Sequence, residues 1–367
     1  MDNMMIVRAA DRVTETAQEE TGEEETNEDK TNGDVWEEIS ETDAAQEEIT
    51  VSVTAESSEE EETGESETAQ EPETAESETD EAQETETEEL TEEETETEEL
   101  TEEETETEES EEVLQSSATV NDITWTYTVS DDGNATITGC EETEGTDLNI
   151  PDTIDGYTVT GIGKSAFYGS SFIGSLTLPA GLITIEDYAF LQCSGITGSL
   201  ELPTGLTSIG VQAFENCSGI TGSLELPMSL TSVEAYAFGY CSGITEVDFP
   251  TGLTSIGAYA FLQCSGITGS LELPTGLASI GECAFGYCSG ITEVDFPTGL
   301  TSIGAYAFLQ CSGITGSLEL PTGLTSMGDS AFYGCSSLTE VDFPTGLTSI
   351  GYSAFYGCSG VTSITVY

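Results

Sequence analysis

The sequence predicts a repeat solenoid: parallel β-strands on a concave face, short turns or helical pieces outside, and a disordered acidic tail in front. Three observations carry this. An Ala-Phe pair recurs nine times, with Phe at 167, 190, 214, 238, 261, 285, 308, 332 and 355, steps of 23 or 24 residues. The segment Ala237–Leu277 returns unchanged at Ala284–Leu324. Charge and aromatic content are segregated: residues 1–112 hold 48 of the 73 Asp and Glu but only one of the 28 aromatics, Trp36. A persistent period in the twenties is the signature of stacked coils in which each repeat buries its apolar side against the next.

The tail comes first. From Thr14 to Glu112 the composition is Glu and Thr with Ser, Ala and Gln, and TEEETETEE occurs at both 91–99 and 101–109. Such a stretch has little to bury and repels itself, so residues 1–112 are expected to be disordered and extended. A flexible coil of that length spans ~60 Å, and more when charged. The expected role is a solvating spacer. The opening MDNMMIVR lacks the basic n-region and long apolar run of a signal peptide. No apolar run approaches the ~18 residues of a membrane-spanning helix, so no membrane insertion is expected.

Residues 113–161 are read as a β-hairpin that caps the repeats. Ile123, Trp125, Tyr127 and Val129 alternate with Thr, Asp131–Asn134 forms the turn, and Ala135–Gly139 returns. Residues 162–367 hold about nine repeats, the last incomplete. In the unit Gly198–Ile220, Leu200 and Leu202 alternate with Ser199 and Glu201, the period of a half-buried strand. Pro203 ends the strand because it cannot donate to a ladder. Thr204-Gly205 turns the chain, Leu206 and Ile209 flank a second short stretch, Gly210 breaks it, and Ala213-Phe214 occupies a turn or helical piece. Cys217 and Ile220 complete one core layer, which no unit can bury alone.

This pattern, L-x-L-P-x-x-L-x-x-I-x-x-x-A-F-x-x-C, resembles the leucine-rich repeat of the BspA-like (Treponema-type) family over about residues 120–367. The lead-in Ile123–Cys140 and the segment Ile150–Phe167 are similar to that family's N-terminal region. The resemblance implies a leucine-rich-repeat horseshoe in an extracellular or cell-surface protein. It also implies binding or adhesion to a protein or glycan on another cell or matrix. With no export signal visible, an intracellular interaction scaffold is the alternative.

Composition excludes other classes. A formal charge of −69 disfavours nucleic acid and anionic lipid. With no His, the chain has no Ser-His-Asp triad, Cys-His dyad or His-ligated zinc. No enzyme activity, cofactor or metal centre is expected. Gly161-Ile-Gly-Lys-Ser165 resembles the end of a phosphate loop, but Thr158 stands where that loop needs its first Gly, and the segment reads as structural. Eight cysteines (193, 217, 241, 264, 288, 311, 335 and 358) lie three residues after a repeat Phe and read as small buried hydrophobes. Cys283 falls outside this column, where other units carry Tyr236, Tyr259 or Tyr306, and is expected to be exposed. Those tyrosines and Tyr188 are expected on the outer turns.

The candidate binding residues come from the strands. Between the two inward apolar positions stand Glu201, Glu225, Asp248, Glu272, Asp295, Glu319 and Asp342, one per coil from the second to the eighth. Glu246, Glu293 and Glu340 add a second acid in alternate coils. Adjacent strands lie about 4.8 Å apart, so neighbouring carboxylates repel by ~1 kcal/mol even in water. A solvated polar face spread by repeat duplication explains the column; so does a face that recognises a cationic partner, with weak Ca²⁺ association.

Overall fold

The computed structural model describes residues 115–141 and 147–367. The tail expectation for residues 1–112 lies outside the described residues. Within them the protein is a parallel β-solenoid of stacked coils. No described residue is helical: the Ala-Phe segment of every coil is a turn. We number the coils 1 to 9 by their Phe, from Phe167 to Phe355.

An antiparallel meander precedes the coils. Ser116–Val120 pairs with Ile123–Val129, which pairs with Asn134–Cys140. Asn134–Cys140 then pairs in parallel with Tyr157–Ile162, so the meander is hydrogen-bonded onto the first coil. Trp125 is fully buried and meets Phe167 edge-on at 6.4 Å, closing one end of the core. Its indole Nε1 donates to Val120 O at 3.2 Å, so its one polar atom is satisfied.

Each coil contributes two short extended segments joined by turns. The Thr-Ser-Ile segments form the longer ladder. Six strands, from Ser232–Val233 to Ser349–Ile350, pair in register with Ser beside Ser and an aliphatic side chain or Met327 in the core. Thr254, Thr301, Thr325 and Thr348 add hydroxyl bonds to carbonyls of the preceding coil at 2.9–3.0 Å. The acid-bearing segments behave differently. Gly222–Glu225 pairs with Ile244–Asp248, Gly269–Glu272 with Ile291–Asp295, and Gly316–Glu319 with Leu338–Phe343, but no strand pairing joins one such pair to the next. Leu338–Phe343 also pairs with Ser363–Val366.

The break has a cause in the sequence. Coils 3, 5 and 7 have one residue more between Cys and Pro than coils 4, 6 and 8. The register shifts at Gly222/Ser223, Gly269/Ser270 and Gly316/Ser317, where each glycine holds φ between +76° and +87°. Glycine reaches that left-handed region without a Cβ clash. The expected strand at Leu200 and Leu202 is not formed. Coil 2 meets coil 3 there only through the bridge Gly198↔Ile220, and Leu202 is half-buried.

The core is a stack of similar layers. Phe rings of successive coils lie 5.0–5.6 Å apart and within 12° of parallel along the whole column. In coils 4, 6 and 8 the Phe at or just past the strand end (249, 296, 343) meets the next coil's column Phe edge-on at 5.6–5.7 Å. Offset-stacked and edge-on arrangements are the favoured geometries of aromatic quadrupoles.

Candidate binding surfaces

Two surfaces of the repeats carry chemistry. The first is the acid column. Glu201, Glu225, Asp248, Glu272, Asp295 and Glu319 are exposed, and Asp342 is partly sheltered. Strand pairing sets Glu225 beside Asp248, Glu272 beside Asp295, and Glu319 beside Asp342. Ser223, Ser270 and Ser317 stand opposite Glu246, Glu293 and Glu340. Three carboxylates thus gather on each long–short coil pair, and the breaks separate one trio from the next. Glu201 sits outside any strand. Asp342 Oδ1 is buried without a hydrogen-bond partner, and Asp342 is followed in register by Thr365 rather than another acid. The only described base, Lys164, lies in coil 1 with Nζ 5.5 Å from the Tyr188 ring centre. No described group of three or more acids or cysteines has the arrangement of a metal site.

The second surface is the outer turn. In coil 2, Tyr188, Phe190 and Gln192 each donate a backbone N–H to a carbonyl of coil 3: Val211, Ala213 and Glu215. The same alternation repeats along the turns. It is made possible by two left-handed residues per coil, two before and two after the Phe. The first position holds Ser165, Tyr188, Gln212, Tyr236, Tyr259, Cys283, Tyr306, Ser330 and Ser353, all with φ between +49° and +61°. The second holds Gln192, Asn216, Tyr240, Gln263, Tyr287 and Gln310 in coils 2 to 7, and Gly169, Gly334 and Gly357 in coils 1, 8 and 9. A side chain at such a backbone conformation costs about 1 kcal/mol or more that glycine does not.

Tyr188, Tyr236, Tyr259 and Tyr306 are half-buried on this turn surface. Tyr236 and Tyr259 stack at 4.4 Å, and Tyr259 Oη donates to Glu282 Oε1 at 2.8 Å. Burial, then the bond to Glu282, pushes the Tyr259 phenol far up, and burial pushes Tyr240 up to about 12. These phenols therefore stay neutral donors. Cys283 corrects the sequence expectation. It is 1% exposed, and burial lifts its thiol to about 12. The column position did predict the turn; it could not show that a side chain smaller than Tyr sinks between its neighbours. Glu215 is the one buried carboxylate among the described residues, accepting from the Gln212 amide.

The core cysteines are more than small hydrophobes. Each is at most 1% exposed and donates its thiol to the Phe carbonyl of the preceding coil, from Cys193 on Phe167 O at 2.8 Å to Cys335 on Phe308 O at 3.3 Å. No disulfide forms among the described cysteines.

A model of the BspA type leucine rich repeat region matches residues 160–269 and 267–367 with six copies, more than half of the chain. The chain belongs to the BspA-type leucine-rich-repeat family. No curated protein matches it. Solved structures similar to it include a leucine rich cell surface protein from Faecalibacterium prausnitzii A2-165 at 20% identity, covering 68% of this chain and 94% of that one, with TM-score 0.34. The T. pallidum leucine rich repeat protein is 24% identical over 65% of this chain and 87% of its own, with TM-score 0.35. A leucine-rich repeat protein from Bacteroides ovatus is 22% identical over 67% and 94%, with TM-score 0.27.

Proposed function

We propose that this BspA-type repeat module is a non-catalytic binding surface that works outside the cell, and that its acid-bearing strand face grips a cationic macromolecule. The observation that carries the reading is the in-register pairing of carboxylates along coils 3 to 8 with no cationic side chain among them. Repulsion of about 1 kcal/mol per neighbouring pair in water is relieved when an opposite charge arrives. Because the trios repeat every two coils, weak contacts add along a regularly charged partner. Family membership and the acidic spacer expected in front of the repeats support a surface location.

The binding test replaces all seven column acids with Ser and measures affinity for a lysine-rich peptide. The native chain should bind weakly, with affinity falling as salt rises, and the variant should lose that binding while keeping its circular dichroism. Equal binding by the two proteins sinks the role of the column. Location is tested by shaving intact native cells with a Glu-specific protease and identifying released peptides by mass spectrometry. Release without lysis is expected; peptides seen only after lysis would leave the intracellular scaffold as the reading.

A further inference from the structure

We propose that the outer turns of coils 2 to 7 form a second binding surface, separate from the acid column, and that it takes an uncharged polysaccharide. Six residues two positions after the column Phe carry it: Gln192, Asn216, Tyr240, Gln263, Tyr287 and Gln310. All have positive φ. The fold itself does not ask for these side chains. In coils 1, 8 and 9 the same position is Gly169, Gly334 or Gly357, while the buried Phe column continues through those coils. At this second position the strained choice is thus confined to coils 2 to 7, and glycine flanks it at both ends.

The chemistry of the patch selects the ligand. A carboxamide both donates and accepts, and a neutral phenol does the same, which matches vicinal hydroxyls. Tyr236 and Tyr259 lie on the same turns and add aromatic surface. Carboxylates bordering the patch are already engaged: Glu282 with Tyr259, Glu234 with Ser232, and Asp187 with the backbone N–H of Val211. The six residues that carry the patch are therefore polar and uncharged, and the carboxylates that border them are held in bonds to the protein itself. A chain of formal charge −69 repels polyanions, so sulfated and uronate polymers are excluded. Tyrosine alternates with glutamine from Tyr240 to Gln310, and the Phe column advances 5.6 and 5.5 Å over two coils there. The pattern repeats on the scale of a disaccharide, so one polysaccharide chain meets it several times.

The test is affinity electrophoresis of the full chain in native gels containing hydroxyethyl cellulose, galactomannan or laminarin, with pectin as the charged control. At least one neutral polymer should retard the chain, insensitively to salt, and pectin should not. Replacing Tyr240, Gln263, Tyr287 and Gln310 together with Gly copies what coils 1, 8 and 9 already use, so the fold should survive. The variant should bind on the order of tenfold more weakly or worse. A second variant, Gln263→Glu with Gln310→Glu, keeps the size but removes the amide donors, and should also lose retardation. The proposal is overturned if no neutral polymer retards the native chain, or if either folded variant is retarded as strongly as the native chain.

Discussion

Cysteine recurs through this core because it is small, apolar and still able to donate to a carbonyl. The Phe carbonyls of coils 1 to 8 each accept a thiol from the next coil, and serine would meet the bond only by bringing a more polar group into the layer. Burial fixes the protonation state of this ladder. It lifts Cys241 and Cys288 to about 12 from an ordinary 9.0, and drives Cys217, Cys264 and Cys311 well above it. The native state therefore holds protons that the unfolded chain releases. The stability they support is complete below about pH 9 and is lost as pH rises from there towards 12. Denaturant unfolding under a reducing agent, followed from about pH 8 to pH 10.5, should show stability falling with pH, and Cys241→Ala with Cys288→Ala should flatten the fall by up to about 1.4 kcal/mol per pH unit for each thiol removed. An unchanged slope in that double variant would mean these thiols do not titrate with unfolding.

At the scale of the element, the structural unit is a pair of coils rather than one. A long coil followed by a short one gives four paired residues on the acidic face, as Gly222–Glu225 does with Ile244–Asp248. Two long coils in succession, coils 2 and 3, give only an isolated bridge at Gly198↔Ile220. The period and the core layer, Leu202 apart, were legible, because Ala-Phe, Pro and Cys are spaced by the coil itself; of the turn or helical piece expected at Ala-Phe, the structure forms the turn. Leu206, Ile209, Ala213, Phe214, Cys217 and Ile220 are each at most 2% exposed. The alternation of 23 and 24 was visible too, yet its consequence was not. Nothing local to Gly222 shows that the extra residue shifts the register and ends the sheet after two strands. Glu201 looks the same as Glu225 in sequence and differs in structure only because coil 3, which follows it, is also long. The left-handed turn positions were equally hidden. Tyr, Gln and Cys are poor indicators of positive φ, and only the repeated hydrogen bonds between turns impose it.

A solenoid couples each coil only to its neighbours, so whole-molecule stability is a sum of interfaces and depends on their order. The chain offers a clean test of this. Deleting Ala237–Cys283 joins Tyr236 to Ala284, and the 41 residues that then follow Tyr236 are those that followed it before. Long and short coils keep their alternation, and every contact at the junction copies one already present. Deleting only Ala237–Tyr259 joins Tyr236 to Ala260 and sets coil 3 against coil 5, both long. The strand pair of Gly222–Glu225 with Ile244–Asp248 is then replaced by a bridge of the kind seen at Gly198↔Ile220. The two-coil deletion should therefore melt within a few degrees of the parent, and the one-coil deletion should melt lower although it retains more of the core. Thermal unfolding by circular dichroism decides the order. If stability instead tracks the number of coils alone, the one-coil deletion will be the more stable of the two, and the pair is not the unit of this fold.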